Sequence, residues 1–371
     1  AAMQEDALAF AYASEELKSN TEFMLAAMQR HELAHMYAPE TLKTGQQPRN
    51  SKVHQNGLAP REASEELKAD KEYMLKAVKK NGKALYLASP LLKADRTIVL
   101  AAVQQHGETL FFASPLLKAD KIIVLAAVRQ SGWALLFATE DLKNDRDVVL
   151  ATVQRNGRAL WCASEVLKAD RDLVLAAVRQ NGRAFECTSG VLRADREIVF
   201  TAVQQDGNQL EHAHENLKND SEIVIDAVIR NGEALQFASE NLRKDKDIVL
   251  AAVQQNGLAL QYASRELLSK ESHLPVLFNS SGKTIVLVAV KRNGLALQYA
   301  PEKLKADKEI VRAAVKQNVS ALQYVSEDLK GNTEFMSEAV KQNVFALQFA
   351  NREFVLAAVQ QNGEALQYVS E

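Results

Sequence analysis

The chain has 371 residues, of which 47% are hydrophobic and 25% charged, but only 15 are glycine and 7 proline. So few turn-forming residues exclude an all-β sandwich or barrel, a collagenous chain and a low-complexity disordered chain, and they favour a largely helical protein. The 45 basic and 47 acidic side chains give a net charge of −2, so no global field attracts nucleic acid or an anionic membrane.

The composition also bears on the compartment. Two cysteines cannot form a disulfide framework in a chain of this length, which is typical of a reducing environment. No stretch approaches about eighteen consecutive apolar residues, and the first residues, AAMQEDALAF, lack the pattern of a signal peptide. We therefore expect no membrane span and an intracellular location by default. Because residue 1 is Ala, we expect the native N-terminus to lie upstream.

A repeat of 25 residues runs along the chain. Its clearest marker is an aspartate that recurs eight times at this interval, at Asp70, Asp95, Asp120, Asp145, Asp170, Asp195, Asp220 and Asp245. We number this residue as repeat position 0 and name each unit after it. Extended in both directions, the frame predicts about fourteen units. Both ends of the chain fall within a unit, so we expect the chain to be cut from a longer array.

The frame divides the chain into five segments. Residues 1–44 hold a partial unit and the first full one, and residues 45–69 form a degenerate unit or linker in which Pro48 stands where a helix should run. A regular array covers residues 70–268. The insertion at 269–281 contains the apolar run LPVLF, so we expect it to fold back on the array or to touch a partner. The last units cover residues 282–371.

Each unit is predicted to contain two helices. The aspartate caps a first helix at positions 1–11, and Asn-Gly at positions 11 and 12 is predicted to end it with a left-handed C-cap. The run I-V-L-A-A-V is apolar on nearly every side, which indicates a helix packed between equivalent neighbours. A second, short helix covers positions 13–18 and carries an aromatic residue at position 17. A last turn follows, capped by serine at position 19.

Two short helices cannot bury their apolar faces alone, so the units must stack about 8–10 Å apart. The predicted fold is therefore all-α, a superhelical α-solenoid. A heptad coiled coil is excluded because the 25-residue period is not a multiple of seven and a glycine interrupts each unit.

The consensus D-x-x-x-V-x-x-A-V-x-x-x-G-x-A-L-x-x-A-S-x-x-L is plain at residues 196–207 and 247–264. It resembles an uncharacterised domain-of-unknown-function family of 25-residue helical repeats from unicellular eukaryotes and some intracellular bacteria. The chain departs from this pattern in the Gly45 unit, in the 269–281 insertion, and at Val319 and Val344, which replace the glycine. The family has no catalytic residues to carry over, and the resemblance implies a role in interaction.

One motif suggests an enzyme. Residues 31–35, HELAH, match HExxH, which on a continuous helix places His31 and His35 on one face as zinc ligands with Glu32 as general base. In the repeat frame, however, the motif spans positions 11–15, where one helix ends and the next begins, and no third ligand follows in the metzincin pattern. A more distant carboxylate such as Glu62 stays open as a ligand. We therefore treat His31 and His35 as weak metal candidates and expect no cofactor.

Three other groups favour structural roles. His212 and His214 would point their rings apart on a helix, and Cys162 and Cys187 occupy the aromatic position 17, where we expect small buried thiols. A row of lysines at position 23 is accompanied by acidic residues at positions 20 and 21. We expect these side chains to form a solvated ridge of mixed charge. These lysines are Lys68, Lys93, Lys118, Lys143, Lys168 and Lys218.

Repeat position 16 gives the most informative pattern. It is Gln in most later units, which indicates an exposed site. In four consecutive earlier units it is apolar, and Trp133 at position 13 stands beside these residues. The predicted partner-binding stripe comprises Tyr86, Phe111, Trp133, Leu136 and Trp161, bordered by Glu186 and Glu211. Large apolar patches mark partner sites, and aromatic residues dominate interface hot spots.

These patterns predict a non-enzymatic protein–protein interaction scaffold, or a structural subunit of a larger assembly, that docks one or more proteins through the stripe. One alternative is a repeat-type RNA-binding protein in which Gln-Gln at positions 9 and 10 meets base edges. Nucleic acid is disfavoured as a partner because the chain lacks a basic stripe. The second alternative is a zinc-dependent hydrolase that uses His31, Glu32 and His35.

Overall fold

The structure is a computed structural model that describes residues 63–269 and 281–361. These residues belong to the second of the two parts into which the chain divides, residues 60–371. The HELAH candidates His31, Glu32 and His35 lie outside the described residues. So do residues 1–44, most of the 45–69 segment and nearly all of the 269–281 insertion.

Most described units contain a long α-helix at positions 1–10, a 3₁₀ helix at positions 12–17 and a short helical turn from about position 20. The long helices are Lys71–Lys80, Arg96–Gln105, Lys121–Gln130, Arg146–Arg155, Arg171–Gln180, Arg196–Gln205, Ser221–Arg230, Lys246–Gln255, Ser281–Arg292, Lys308–Gln317, Thr333–Gln342 and Arg352–Gln361. The 3₁₀ helices are Gly82–Leu87, Gly107–Phe112, Gly132–Phe137, Gly157–Cys162, Gly182–Cys187, Gly207–His212, Gly232–Phe237, Gly257–Tyr262, Gly294–Tyr299, Val319–Tyr324 and Val344–Phe349.

The short turns differ in type from unit to unit. They are α-helical at Glu65–Ala69, Pro90–Lys93, Pro115–Lys118, Glu140–Lys143, Glu215–Lys218, Arg265–Ser269, Glu302–Lys305 and Glu327–Lys330. They are 3₁₀ at Leu167–Ala169, Leu192–Ala194 and Leu242–Lys244. The prediction of an all-α solenoid is confirmed, and the last turn predicted after position 19 is present as a short helical element.

Equivalent elements of successive units pack against each other. From Lys71–Lys80 to Thr333–Gln342, each long helix contacts the long helix of the next unit, and the 3₁₀ helices contact one another in a second column. The helix Lys246–Gln255 contacts Ser281–Arg292 in the same way, so the stack continues past the insertion. A backbone bond adds to most junctions, because the N–H at position 19 donates to the carbonyl oxygen at position 23 of the preceding unit. One example is Ser114 to Lys93, at 2.9 Å.

The core lies between the two columns. In the Asp95 unit, positions 3, 4, 7 and 8 are fully buried, as Ile98, Val99, Ala102 and Val103. The other two residues of the apolar run, at positions 5 and 6, are half-buried. A helix packed on both flanks by its neighbours needs apolar residues over most of its circumference, which explains the broad apolar run.

The aspartate at position 0 caps its own helix and binds the preceding unit. Asp120 accepts hydrogen bonds from the backbone N–H of Ile122, at 2.9 Å, and of Ile123, at 3.2 Å. Its other carboxylate oxygen lies 2.8 Å from Nε of Arg96, at position 1 of the preceding unit. Equivalent ion pairs join Lys71 to Asp95, Lys121 to Asp145, Arg146 to Asp170, Arg171 to Asp195, Arg196 to Asp220 and Lys283 to Asp307.

The predicted left-handed C-cap is wrong. Asn81, which follows the long helix Lys71–Lys80, is extended, with φ −148° and ψ 108°. None of the described glycines has a φ in the left-handed region. The Asn81 side chain instead accepts a hydrogen bond from the N–H of Lys83 at 3.0 Å, so it caps the start of the 3₁₀ helix.

The glycine at position 12 is required by the next unit. A Cβ atom on Gly157 would lie 2.2 Å from the carbonyl oxygen of Ala177, at position 7 of the following long helix. A Cβ atom on Gly107 would lie equally close, 2.2 Å, to the carbonyl oxygen of Ala127. Because these atoms are backbone, a side chain at position 12 cannot be accommodated unless the units separate.

A glutamine at position 10 of the next unit bonds to this glycine. Gln205 accepts a hydrogen bond from Gly182 N–H at 2.6 Å, and its amide donates to the carbonyl oxygens of Val178 at 2.8 Å and Arg179 at 3.1 Å. It therefore joins the last turn of one long helix to the following 3₁₀ helix. The same glycine-to-glutamine bond occurs at Gly107, Gly157, Gly232 and Gly294.

Val319 stands at position 12, where most units have glycine. Its 3₁₀ helix keeps the usual start, with Asn318 accepting from Ser320 N–H at 2.9 Å. Among the described residues, however, no hydrogen bond joins Val319 N–H to Gln342, which stands at position 10 of the next unit. A crevice lies between the two long helices at this junction, lined by Arg312, Val315, Phe335, Glu338, Ala339 and Gln342. Within the described residues, the Val319 junction therefore lacks the bond that Gly107 and Gly182 make with the glutamine of the next unit.

Replacing Gly157 by Ala tests this constraint, with Gly190→Ala as the matched control. A Cβ on Gly190 meets nothing within 4 Å. Gly157→Ala is expected to lower the free energy of unfolding by about 1–3 kcal/mol through overpacking, whereas Gly190→Ala should be neutral. Urea unfolding followed by circular dichroism measures both. Equal stabilities of the two variants would contradict the packing argument.

Asp120→Asn tests the ion-pair ladder. Arg96 lowers the pKa of the Asp120 carboxyl below its ordinary value of 3.8; burial opposes this, and the Ile122 and Ile123 N–H groups add to it. A lowered folded-state pKa contributes stability that is present above the ordinary value and is lost as pH falls through the lowered one. Since Asn also caps helices well, Asp120→Asn should be less stable than wild type at neutral pH, and the difference should close in acid.

The matched control is Asp245→Asn. Asp245 caps its helix in the same way, but the preceding unit has Ser221 at position 1 and no basic side chain of the described residues pairs with Asp245. Thermal unfolding across the acid range should therefore show a smaller loss for Asp245→Asn. A loss equal to that of Asp120→Asn would show that the inter-unit pair contributes nothing.

Candidate partner-binding site

The predicted stripe is exposed at its ends and half-buried between them. Tyr86 is 55% exposed and Trp161 is 41% exposed. Phe111 and Leu136 are half-buried, and Trp133 is half-buried and packs against the core. Position 16 is also exposed where it is Gln, at Gln236, Gln261, Gln323 and Gln348. The stack thus presents position 16 to solvent in most of the described units.

The aromatic rings of the stripe pack across unit boundaries. The Tyr86 ring lies 5.3 Å, centroid to centroid, from the ring of Phe112 at position 17 of the next unit. Phe111 contacts Phe137 edge-on at 5.2 Å and Phe112 at 5.1 Å. Phe111 therefore stabilises the stack and also forms part of the surface. Its contact with the next unit depends on Phe137, the residue at position 17 of that unit.

The lysines at position 23 stand beside the stripe. In most units the lysine pairs with a glutamate three residues earlier, at position 20, and its side chain is largely covered; Lys168 is 15% exposed and lies 2.8 Å from Glu165. The other pairs are Lys68 with Glu65, Lys143 with Glu140, Lys218 with Glu215, Lys305 with Glu302 and Lys330 with Glu327.

Two lysines depart from this rule. Position 20 is Pro90 in the Asp70 unit and Pro115 in the Asp95 unit, so Lys93 and Lys118 have no acidic partner among the described residues. The expectation that acidic residues accompany every position-23 lysine is therefore wrong for these two. Each ammonium group lies instead over the position-16 ring of its own unit.

The distances and surroundings of these two lysines are similar. Lys93 Nζ is 5.9 Å from the Tyr86 ring centroid, and Lys118 Nζ is 5.1 Å from that of Phe111. Burial lowers the pKa of both lysines. The first two units of the stripe thus pair an aromatic ring with an ammonium group that no acidic side chain of the described residues neutralises.

The acidic border is present in the structure. Glu186 and Glu211, which follow the apolar residues at position 16, are both exposed. Glu186 also accepts a hydrogen bond from the Gln209 amide at 3.3 Å. The surface at position 16 therefore changes from aromatic to acidic after Trp161.

The remaining candidates have structural surroundings. His214 Nδ1 accepts a hydrogen bond from Asn216 N–H at 3.3 Å and so caps a short turn. Burial raises the pKa of the Cys162 thiol to about 12 and also raises that of Cys187. In the part of the chain that the structure describes, no group of three or more His, Cys, Asp or Glu side chains is arranged to hold a metal ion.

Within residues 63–269 and 281–361, no helix has both the length and the apolarity needed to cross a bilayer.

A family model for a domain of unknown function (DUF4116) matches the chain repeatedly, and most matches span about two 25-residue units. The matched residues are 1–43, 52–93, 95–143, 120–168, 145–193, 195–235, 220–268, 283–330, 314–351 and 332–371. No curated protein and no solved structure matches the chain.

The surroundings of the cysteines predict thiols that react slowly in the folded protein. Since only the thiolate is nucleophilic and burial raises both pKa values, a disulfide reagent such as DTNB at mildly alkaline pH should label Cys162 and Cys187 far more slowly in the folded protein than in denaturant. Cys162→Ser and Cys187→Ser separate the two rates. Equal reaction rates of Cys162 in the folded and the unfolded protein would contradict the buried position of its thiol.

Proposed function

The chain belongs to the DUF4116 family, which is defined by a domain of unknown function. We propose that the protein is a non-enzymatic interaction scaffold or a structural subunit of a larger assembly. Stacked helical repeats build an extended, continuous surface on which one repeat position recurs at a fixed spacing. Such a surface suits the docking of another protein.

The observation that carries this proposal is the exposure of aromatic residues at position 16. Tyr86 and Trp161 expose about half of their surface while standing on 3₁₀ helices whose neighbouring residues, such as Leu85 and Leu160, are fully buried. Large aromatic rings held by a rigid backbone bury much area with little loss of entropy, which is the character of interface hot spots. We propose that the partner docks along Tyr86, Phe111, Leu136 and Trp161, with Trp133 beside them.

The RNA-binding alternative has less support. It depends on glutamines at positions 9 and 10, but the position-10 glutamine forms the bond between units, as Gln205 does with Gly182. Most position-23 lysines are paired with glutamate, as Lys168 is with Glu165. The zinc hydrolase alternative depends on residues outside the described part of the chain, so it gains no support from the geometry.

The test is site-specific photocrosslinking in the native source. A benzoylphenylalanine in place of Tyr86 or Trp161 should capture the same partner protein. In place of Gln236 or Gln261, exposed at the same repeat position in later units, it should not. The double variant Tyr86→Ser with Trp161→Ser should lose the partner while keeping its helicity and most of its melting temperature, because both side chains lie at the surface, Tyr86 55% and Trp161 41% exposed.

Phe111 is left out of this variant because its ring packs on Phe112 and Phe137. Two results would contradict the proposal. One is equal capture of the same protein from the aromatic and the glutamine positions. The other is a large loss of stability in the double variant, which would assign these side chains to the core.

A further inference from the structure

The Asp70 and Asp95 units share a segment that the other described units lack. The sequence S-P-L-L-K-A-D occurs twice, at residues 89–95 and 114–120, one repeat apart. In both copies proline begins the short turn at the position where most units have glutamate. The replacement leaves the turn intact but removes the carboxylate that would pair with the lysine three residues later.

In most units the lysine equivalent to Lys93 and Lys118 has a carboxylate partner within the chain. At the equivalent position Lys143 lies 2.8 Å from Glu140 and Lys168 lies 2.8 Å from Glu165. Lys93 and Lys118 are half-buried without such a carboxylate, and a partly desolvated charge is costly unless it is paired. The lowered pKa of both side chains agrees with this arrangement.

We propose that the partner supplies the missing carboxylates: an acidic, apolar peptide segment crosses Tyr86 and Phe111 and pairs its side chains with Lys93 and Lys118. This inference rests on the proposed function and names the chemistry of the partner at that site. Aromatic rings provide the apolar contact, and the two ammonium groups above them select for negative charge.

The spacing between units sets the register of such a segment. Adjacent repeats stand about 8–10 Å apart. A polyproline II strand covers three residues in roughly 9 Å and returns to the same face after each turn. Carboxylates three residues apart in an extended segment therefore match Lys93 and Lys118, with the apolar side chains between them directed to the rings.

The distribution of charge favours a short acidic peptide over a nucleic acid or an anionic membrane. The next two lysines along the row, Lys143 and Lys168, are already paired with glutamate. Beyond them the exposed Glu186 and Glu211 would repel a continuous polyanion. Two ammonium groups in adjacent units suit a segment with two or three carboxylates.

The probe is a fluorescein-labelled, acetylated peptide of three Glu-Phe-Pro triplets, and its control replaces each Glu by Gln. Fluorescence anisotropy with the full chain should show saturable binding of the Glu peptide that weakens as salt is added. The Gln peptide should bind about tenfold more weakly, since the loss of two charge pairs at about 0.7 kcal/mol each amounts to that factor.

The matched variants are Lys93→Gln with Lys118→Gln, and Lys143→Gln with Lys168→Gln. The first pair should weaken binding of the Glu peptide about tenfold, whereas the second should leave it unchanged because those lysines are already neutralised within the chain. Circular dichroism and thermal unfolding check that both variants are folded. Equal binding of the two peptides, insensitivity to Lys93→Gln with Lys118→Gln, or no saturable binding would overturn the inference.

Two further comparisons distinguish a failure of the acidic-partner inference from a failure of the proposed scaffold function. If both peptides bind equally and both are lost with Tyr86→Ser and Trp161→Ser, the aromatic interface stands and the acidic partner is wrong. If the Glu peptide binds through the lysines but photocrosslinking at Tyr86 captures no protein, the acidic-binding chemistry stands and the scaffold function fails. Displacement of the Glu peptide by oligouridylate in a Lys93-dependent manner would assign the site to nucleic acid and overturn the inference.

Discussion

The close contact between the glycine at position 12 and the carbonyl oxygen at position 7 of the next unit, which recurs at most of the described junctions, is the constraint on which the stack depends. It brings the 3₁₀ helix near enough for the position-10 glutamine to bond to the glycine N–H, as Gln130 does with Gly107 at 2.7 Å. At most of these junctions the position-0 aspartate also pairs with the basic residue at position 1, as Asp120 does with Arg96, and position 19 bonds to the backbone at position 23. Most junctions therefore combine packing, polar bonds and an ion pair.

The same regularity creates the candidate site. Because the backbone repeats so closely, positions 16 and 23 recur side by side in successive units, and substitutions there alter the surface without altering the fold. Aromatic residues at position 16 give an apolar row from Tyr86 to Trp161, and glutamate replaces them at Glu186. Proline at position 20 removes the carboxylate that pairs with the position-23 lysine in most units, as at Lys93 and Lys118. We infer that interaction specificity in this chain depends on such local substitutions on a constant scaffold.

Much of the fold follows from the sequence, because the 25-residue period, the capping aspartates and the apolar run are local signals. The left-handed C-cap was a wrong prediction because Asn-Gly was interpreted within one helix, whereas the glycine is required by a backbone atom of the next unit. The consensus leaves position 20 open, so it does not indicate that Pro90 and Pro115 remove the glutamate beside Lys93 and Lys118. The partial burial of Phe111 depends on ring contacts between units, which no single unit reveals. The binding role of the stripe remains a prediction.

Amide hydrogen exchange, resolved to single residues by NMR, tests most directly whether the glycine contact and the glutamine bond hold the units together. The account predicts slow exchange for the amides of Gly107 and Gly182, which donate to Gln130 and Gln205. The amide of Val319, which has no such bond among the described residues, should exchange much faster. Equal protection of Val319 and the two glycines would contradict the account.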